Sequence, residues 1–320
     1  MPHSPPNRSH PHTPESVTRP DSLTLGAFAA AAVLAGGNPV AIRLGYAELP
    51  PFWGAAVRFL AAAAILAVAM AVMRLTIPRG RAFTGVMIYG MLSFGLSYMF
   101  AYWALTEVTA GTAMVVLAIV PLLTLVLAVV QGVERFHAQG LVGAVVAALG
   151  VALVFWDNIG AVSLGALVAL FGGAVSMAEV NIVIKKFPRV HPVVENALGM
   201  AVGGGLLLLL SLVRAEPWVV PAELATQVSL AYLILLGSVG MFILYLIVLG
   251  RWTASAASYV LLIAPLVAVG LGAAILGERI SWTFVVGGLL VLGGVYVGAL
   301  HPRPPARAGM SRSGGAIKEP

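Results

Sequence analysis

No cysteine occurs among the 320 residues, which excludes disulfides, thiolate zinc sites, cysteine nucleophiles and iron–sulfur ligation. Charge is nearly as scarce: Asp, Glu, Lys and Arg make up 9% of the chain, against roughly 25% in an ordinary soluble protein. With 60% hydrophobic residues and a mean hydropathy of +0.99, a soluble fold is excluded. The six histidines (His3, His10, His12, His137, His191 and His301) fall in the N-terminal tail, in connections or at the last boundary, so neither a buried metal site nor a cofactor is implied. No GxSxG, HExxH or paired intramembrane Asp occurs, and no P-loop. A membrane-embedded enzyme and an ATP-driven pump therefore both lack their machinery.

The 18 basic residues outnumber the 12 acidic ones, but apart from Arg58 they sit in tails and short connections. They form no aromatic-interleaved face of the kind nucleic acid needs. Residues 1–22, with six prolines and few apolar side chains, read as a disordered tail, and residues 301–320 read the same way. Between them, apolar runs recur at 24–42, 52–73, 84–103, 110–130, 138–155, 162–184, 193–213, 228–249, 254–276 and 283–300. Each is long enough to cross a hydrocarbon core of about 30 Å as a helix. In lipid the backbone must satisfy itself within the segment, so Val- and Ile-rich runs are expected to be helices, not strands. No long soluble domain follows the first run, which reads as a span and not as a signal peptide. The expected fold is all-α and integral to the membrane, with ten spans.

Basic residues set the orientation, because loops rich in Lys and Arg stay cytoplasmic. With the N-terminus inside, the inner connections carry eight of them: Arg74, Arg79, Arg81, Arg135, Lys185, Lys186, Arg189 and Arg251. The outer connections carry three, Arg43, Arg214 and Arg279, so both termini are expected in the cytoplasm.

Shifting the chain on itself by 144 positions aligns Leu105 to Val151 with Leu249 to Val295 without a gap, and 16 of the 47 pairs are identical. The pairs include Thr109/Thr253, Pro121/Pro265, Glu134/Glu278, Arg135/Arg279, Gly143/Gly287 and Gly150/Gly294. Apolar composition raises chance identity, but does not pair a mid-helix Pro with a Glu-Arg at a helix end. The expected organisation is a five-helix unit at 23–156 repeated at 157–300. Five is odd, so the second copy is inverted about an axis in the membrane plane, the arrangement by which secondary transporters expose one site to each face in turn. Pro121 and Pro265 each remove a backbone donor from a span, giving either a hinge for gating or simple curvature. Gly199/Gly203 and Gly294/Gly298 are GxxxG pairs suited to close helix packing.

At these residues the chain resembles the drug/metabolite transporter superfamily, and within it the ten-helix EamA-type exporters. The resemblance runs over residues 24–300. It rests on Asn38-Pro39-Val40-Ala41-Ile42-Arg43 at the end of the first span, Pro50-Pro51 followed by Arg58-Phe59 in the second, and the twice-occurring Pro and Glu-Arg pattern. It implies a plasma-membrane exporter of small metabolites, amino acids or drugs, coupled to protons or another gradient. The central cavity would be lined by spans one, three, four, six, eight and nine. A passive channel or a non-transporting membrane scaffold is the alternative that saturable counterflow would exclude.

Glu179 in span six is an ionisable group within a membrane run, where such groups are functional by default. Desolvation would raise its pKa towards neutrality, suiting it to carry a coupling proton. Ala178-Glu179-Val180 also resembles the coupling glutamate of the small multidrug resistance branch. Arg58 lies about six residues inside span two, from where it can snorkel to the interface or meet a carboxylate, of the substrate or of Glu179. Asn38 and Asn181 occupy the equivalent first helices of the two halves and can bond a polar ligand or a neighbouring helix. Tyr98 and Tyr102 share one face of span three, and Tyr245 stands in span eight; Ser258 and Tyr259 lie in span nine, with Met114 matching Ser258 by the repeat. Together these would line a cavity for an amphipathic solute. Trp53, Trp103, Trp156, Trp252 and Trp282, near span ends, read as interfacial anchors. With one intramembrane arginine and no further buried cation, neutral, zwitterionic or cationic solutes are favoured over phosphorylated ones. Two fused halves already supply the symmetry of a dimer, so a functional monomer is expected.

Overall fold

Runs this apolar leave their backbone no partner but itself, and among the described residues every regular element is helical. The computed structural model describes residues 22–132, 138–156, 162–241, 243–244, 247–248 and 260–297. The helices are α1 (Ser22–Gly45), α2 (Pro51–Val72), α3 (Arg81–Gly90), α4 (Ser97–Ala104), α5 (Ala110–Leu117), α6 (Val120–Val130), α7 (Ala138–Trp156), α8 (Leu164–Lys186), α9 (Pro192–Val213), α10 (Leu224–Ile234), α11 (Val260–Leu276) and α12 (Trp282–Val295). A π-helical segment, Met91–Leu96, joins α3 to α4, and a second, Leu235–Gly240, extends α10. Among the described residues six stretches are long and apolar enough to cross a membrane: Ser22–Gly45, Pro51–Val72, Arg81–Ala104, Ala110–Val130, Leu164–Ile184 and Pro192–Val213. Four further apolar helices are shorter over the described residues.

Local chemistry accounts for the ends. Pro51 and Pro192 open α2 and α9, where a missing N–H costs nothing. Thr109, Ser163 and Ser281 cap α5, α8 and α12 by accepting the N–H of Thr112, Ala166 and Phe284 at 3.1 Å each. Span four is broken next to its proline: α5 ends at Leu117, and Pro121 sits in the first turn of the separate helix α6. Pro265, by contrast, lies inside an uninterrupted α11.

The interior is built from small residues. Ala55, Ala56, Ala62, Ala104, Ala110, Ala166, Ala169, Ala174 and Ala178 are fully buried, while Val68, Leu149, Leu266 and Leu289 point outwards, as lipid allows and water would not. α2 packs along α9, and α7 along α12. At the second contact a Cβ on Gly150 would stand 2.6 Å from the Gly287 carbonyl oxygen, and one on Gly287 would stand 2.7 Å from that of Gly150. Only glycine permits that approach. Gly203 likewise faces Phe94 and Gly95, and a Cβ on Gly90 would meet Gly199, so the first GxxxG pair serves packing. α1 packs on α11 and α10, while α8 packs on α5, α6 and α4.

The two ends of the bundle differ in charge chemistry. At one end carboxylates take backbone N–H groups across connections. Glu216 accepts from Phe52 and Trp53 at 3.3 and 2.8 Å, Glu48 from Ala222 and Glu223 at 2.9 Å each, Glu107 from Ser163 at 3.0 Å and Glu278 from Ala110 at 2.9 Å. The Ala222 N–H, with that of Glu223 beside it, holds the Glu48 carboxyl below the usual range; Ser163, through its hydroxyl and N–H, does the same to Glu107. At the opposite end Arg81 donates to the Lys186 carbonyl at 3.2 Å and lies over the Phe187 ring at 5.8 Å.

Candidate functional site

Arg58 is the most consequential side chain of the interior. It is 0% exposed, so it does not snorkel: α2 carries it against span eight, and packing by α4 and α10 leaves no route to the interface. Its Nε donates to Ser238 Oγ at 3.0 Å, one terminal nitrogen to the Gly237 carbonyl at 3.0 Å and the other to the Tyr102 hydroxyl at 3.5 Å. The guanidinium also lies over the rings of Phe59 and Tyr98, at 4.9 and 5.3 Å. The Tyr102 carbonyl accepts from the Tyr46 hydroxyl at 2.5 Å.

Asn38 reaches the same carbonyl from α1, its Nδ2 donating to Gly237 at 3.4 Å. Its Oδ1 is buried and has no hydrogen-bond partner. A Cβ on Gly237 would collide with that oxygen, so any larger residue here would push the Asn38 amide aside. The π segment matters chemically: its wider turn shifts the backbone out of register and presents a carbonyl sideways, where Arg58 and Asn38 take it. Tyr232, one helical turn earlier, donates to the Leu34 carbonyl at 3.0 Å. Beside this cluster lies a cavity of about 10 Å³, lined by Tyr46, Tyr102, Ser229 and Leu233 among others, room for roughly one water.

Asn38, Arg58, Tyr98 and Tyr102 thus come together between α1, α2, α4 and the α10 π segment. Asn181 and Glu179 are elsewhere. Glu179 is half-buried seven residues before the end of α8, and its Oε2 accepts from Gln131 at 2.7 Å, while Gln131 accepts from Lys186 at 2.6 Å. It therefore does not pair with Arg58. Asn181 is exposed and donates to Thr124 at 3.2 Å. Met114 is half-buried in α5. Tyr245, Ser258, Tyr259, Gly298 and Trp252 lie outside the described residues. Trp103, Trp156 and Trp282 are exposed at helix ends, whereas Trp53 stacks on Trp218 at 5.0 Å. Ser238, Gly237, Tyr46 and Tyr232 belong to the site and have no sequence signal of their own: a serine or glycine in an apolar run looks like packing.

A helical bundle with apolar outer faces, enclosing a polar cluster shared among several helices, is a multi-pass membrane protein of the transport class. The chain belongs to the EamA-like transporter family, within the drug/metabolite transporter superfamily, which matches residues 23–156 and again 164–299. It is 26% identical over 258 residues to the uncharacterized inner membrane transporter YedA of Escherichia coli K12, covering 80% of this chain and 84% of that one. It is also 26% identical over 281 residues to a probable amino-acid metabolite efflux pump of Salmonella typhimurium, covering 83% and 91% respectively. A crystal structure 20% identical in sequence shares the fold with a TM-score of 0.63, over 87% of this chain and 97% of that one. The protein is a membrane transporter of small molecules, and its bacterial relatives place it in the inner membrane.

Proposed function

We propose that the protein is a secondary active transporter that exports small metabolites, amino acids or drug-like amphipathic solutes by alternating access, in exchange for protons. The observation that carries this reading is duplication. The family matches twice, over two halves of similar length. The helix and π segment at Arg81–Leu96 recur 144 positions on, within Leu224–Gly240. The packing pairs also exchange: α1 against α11 and α10 mirrors α8 against α5, α6 and α4. Ten spans in two inverted five-helix units, 23–156 and 157–300, account for all three. The carboxylate-capped end is then the outer face and the Arg81–Lys186 end the cytoplasmic one, with both termini inside.

The Arg58 cluster, with Met114, Asn181, Tyr245, Ser258 and Tyr259 completing the path, is the solute route. Pro121, at the break in span four, and Pro265 act as hinges. Glu179, held by a neutral partner, carries the proton. Two fused halves make a monomer the working unit, and the relatives named as efflux pumps support export. The test is substrate-dependent proton flux in proteoliposomes, with amino acids, amines and cationic dyes. Flux in the wild type that is lost in Glu179→Gln supports the reading. Counterflow that survives the substitution with unchanged pH dependence removes Glu179 from the cycle, and no counterflow at all removes transport.

A further inference from the structure

Arg58 is a full positive charge held in a membrane interior with no counter-charge among the described residues. All seven glutamates among the described residues lie away from it. Glu48, Glu107 and Glu216 take backbone N–H groups at the outer end, Glu278 pairs with Arg43, Glu179 with Gln131, and neither Glu195 nor Glu223 bonds the guanidinium. Its partners, Ser238, Gly237, Tyr102 and two ring faces, are all neutral. Burying a charge in this way is costly unless something repays it. A merely structural role would be filled more cheaply by a neutral donor. Three of the five guanidinium N–H groups are engaged, one of them at 3.5 Å, which leaves two for a further acceptor. Next to this donor sits an orphan acceptor, Asn38 Oδ1: a Cβ on Gly237 would meet both that oxygen and, at 3.4 Å, a terminal nitrogen of Arg58.

We infer that Arg58 is the specificity-determining residue of the transporter: it selects solutes that carry a carboxylate, and Asn38 Oδ1 reads a hydrogen-bond donor on the same solute. This rests on the transport reading above and narrows its cargo to zwitterions, turning away amines and drug-like cations. A carboxylate supplies the missing counter-charge and matches the planar fork of the guanidinium. An ammonium or hydroxyl on the solute pairs with Asn38 Oδ1. The aromatic wall of Phe59, Phe94 and Tyr98, with centroids 4.6 to 6.4 Å apart, accepts an apolar body. The adjoining cavity of about 10 Å³ is too small for such a solute, so entry requires span eight to part from α1 and α2 and the Gly237 contacts to exchange for solute contacts.

The experiment is competition for counterflow in proteoliposomes with three acid–amine pairs: phenylalanine and phenethylamine, leucine and isopentylamine, tyrosine and tyramine. In the wild type each amino acid is expected to compete at least about tenfold better than its amine, the discrimination a charge-assisted pair in a closed site delivers. In Arg58→Lys, which keeps the charge and loses the fork, that ratio should fall about tenfold. In Asn38→Ala, 3-phenylpropionate, which has no ammonium group, should compete as well as phenylalanine. Thermal unfolding midpoints report whether each variant is folded, and the wild-type ratios stand without any variant. Amines competing as well as or better than their acids would overturn the inference and leave transport intact. Counterflow of no probe, dyes included, would overturn transport and this inference with it.

Discussion

Glu278 ties three helices together, and its removal has a calculable effect. The carboxylate folds back over the last turn of α11 into the space a Cβ on Gly272 would fill. From there it accepts the Ala110 N–H at 2.9 Å, at the N-terminus of α5, and pairs with Arg43 of α1 at 2.7 Å. The Glu278 side chain is 9% exposed and that of Arg43 31%. One charge-assisted bond to a buried N–H contributes about 2 kcal/mol. An ion pair open to water on one side adds about 1 kcal/mol, and the favourable placement at a helix N-terminus about 0.5 kcal/mol. Glu278→Ala should therefore cost about 3 to 4 kcal/mol. Glu278→Gln keeps an acceptor for Ala110 and should cost about 1 to 2 kcal/mol, and Arg43→Ala about 1 kcal/mol. The assay is a double-mutant cycle on unfolding free energies, from SDS titration of the protein in mixed micelles. It is expected to return a coupling of about 1 kcal/mol between Arg43 and Glu278, with exposed Arg279→Ala within about 0.5 kcal/mol of wild type. A coupling below about 0.3 kcal/mol, or a cost for Glu278→Ala no greater than for Arg279→Ala, would refute the view that this carboxylate holds α5 to α1.

Gly150→Leu should drive α7 off α12 and abolish a folded population, whereas Gly293→Ala, with nothing near its added Cβ, should leave the thermal midpoint in detergent unchanged. Ala215 holds a left-handed φ of 51° just past α9, so Ala215→Gly should stabilise by about 1 kcal/mol; a loss of stability in the same SDS titration would contradict the strained turn. The lowered carboxyls of Glu48 and Glu107 contribute stability that is present above the ordinary carboxylate range and lost as pH falls through their depressed values. Amide exchange at Ala222, Glu223 and Ser163, corrected for intrinsic rates, should rise only once the pH falls below the ordinary carboxylate range, and Glu48→Gln should remove the pH dependence at the first two.

Six span positions and the twofold family match were legible because both rest on pattern: run length against bilayer thickness, and paired Pro, Glu-Arg and Gly at one offset. The helices agree with the apolar runs to within a few residues, from Pro51–Val72 against 52–73 to Pro192–Val213 against 193–213. The π segments were not legible. The gapless alignment begins at Leu105, yet Met91–Leu96 and Leu235–Gly240 keep the same offset with almost no identity, because a backbone register in lipid is set by packing and not by a motif. Arg58 was visible as an intramembrane charge, but its depth alone allowed either an interfacial or an interior side chain. Its orientation depends on Gly237 and Ser238, which carry no signal in an apolar run.

The two π segments explain why the polar cluster sits where it does. A wider π turn tilts a backbone carbonyl towards neighbouring helices, where a further donor can reach it. In Leu235–Gly240 the Gly237 carbonyl serves Arg58 and Asn38, and Ser238 returns its hydroxyl to the Leu233 carbonyl at 2.9 Å. Just after the matching segment of the first half, Ser97 does the same for Leu92 at 2.7 Å, but no buried cation among the described residues bonds that segment; Gly95 is packed against Leu206 and Gly203 instead. The halves therefore share a backbone device and differ in its use. One interruption is closed by packing, and the other is held by a charge and an amide that can exchange it for another acceptor. If the Arg58 cluster reads the solute as proposed, Arg58→Lys should alter selectivity and Gly150→Leu, at the α7–α12 contact, should abolish folding, with neither substitution producing the other's effect.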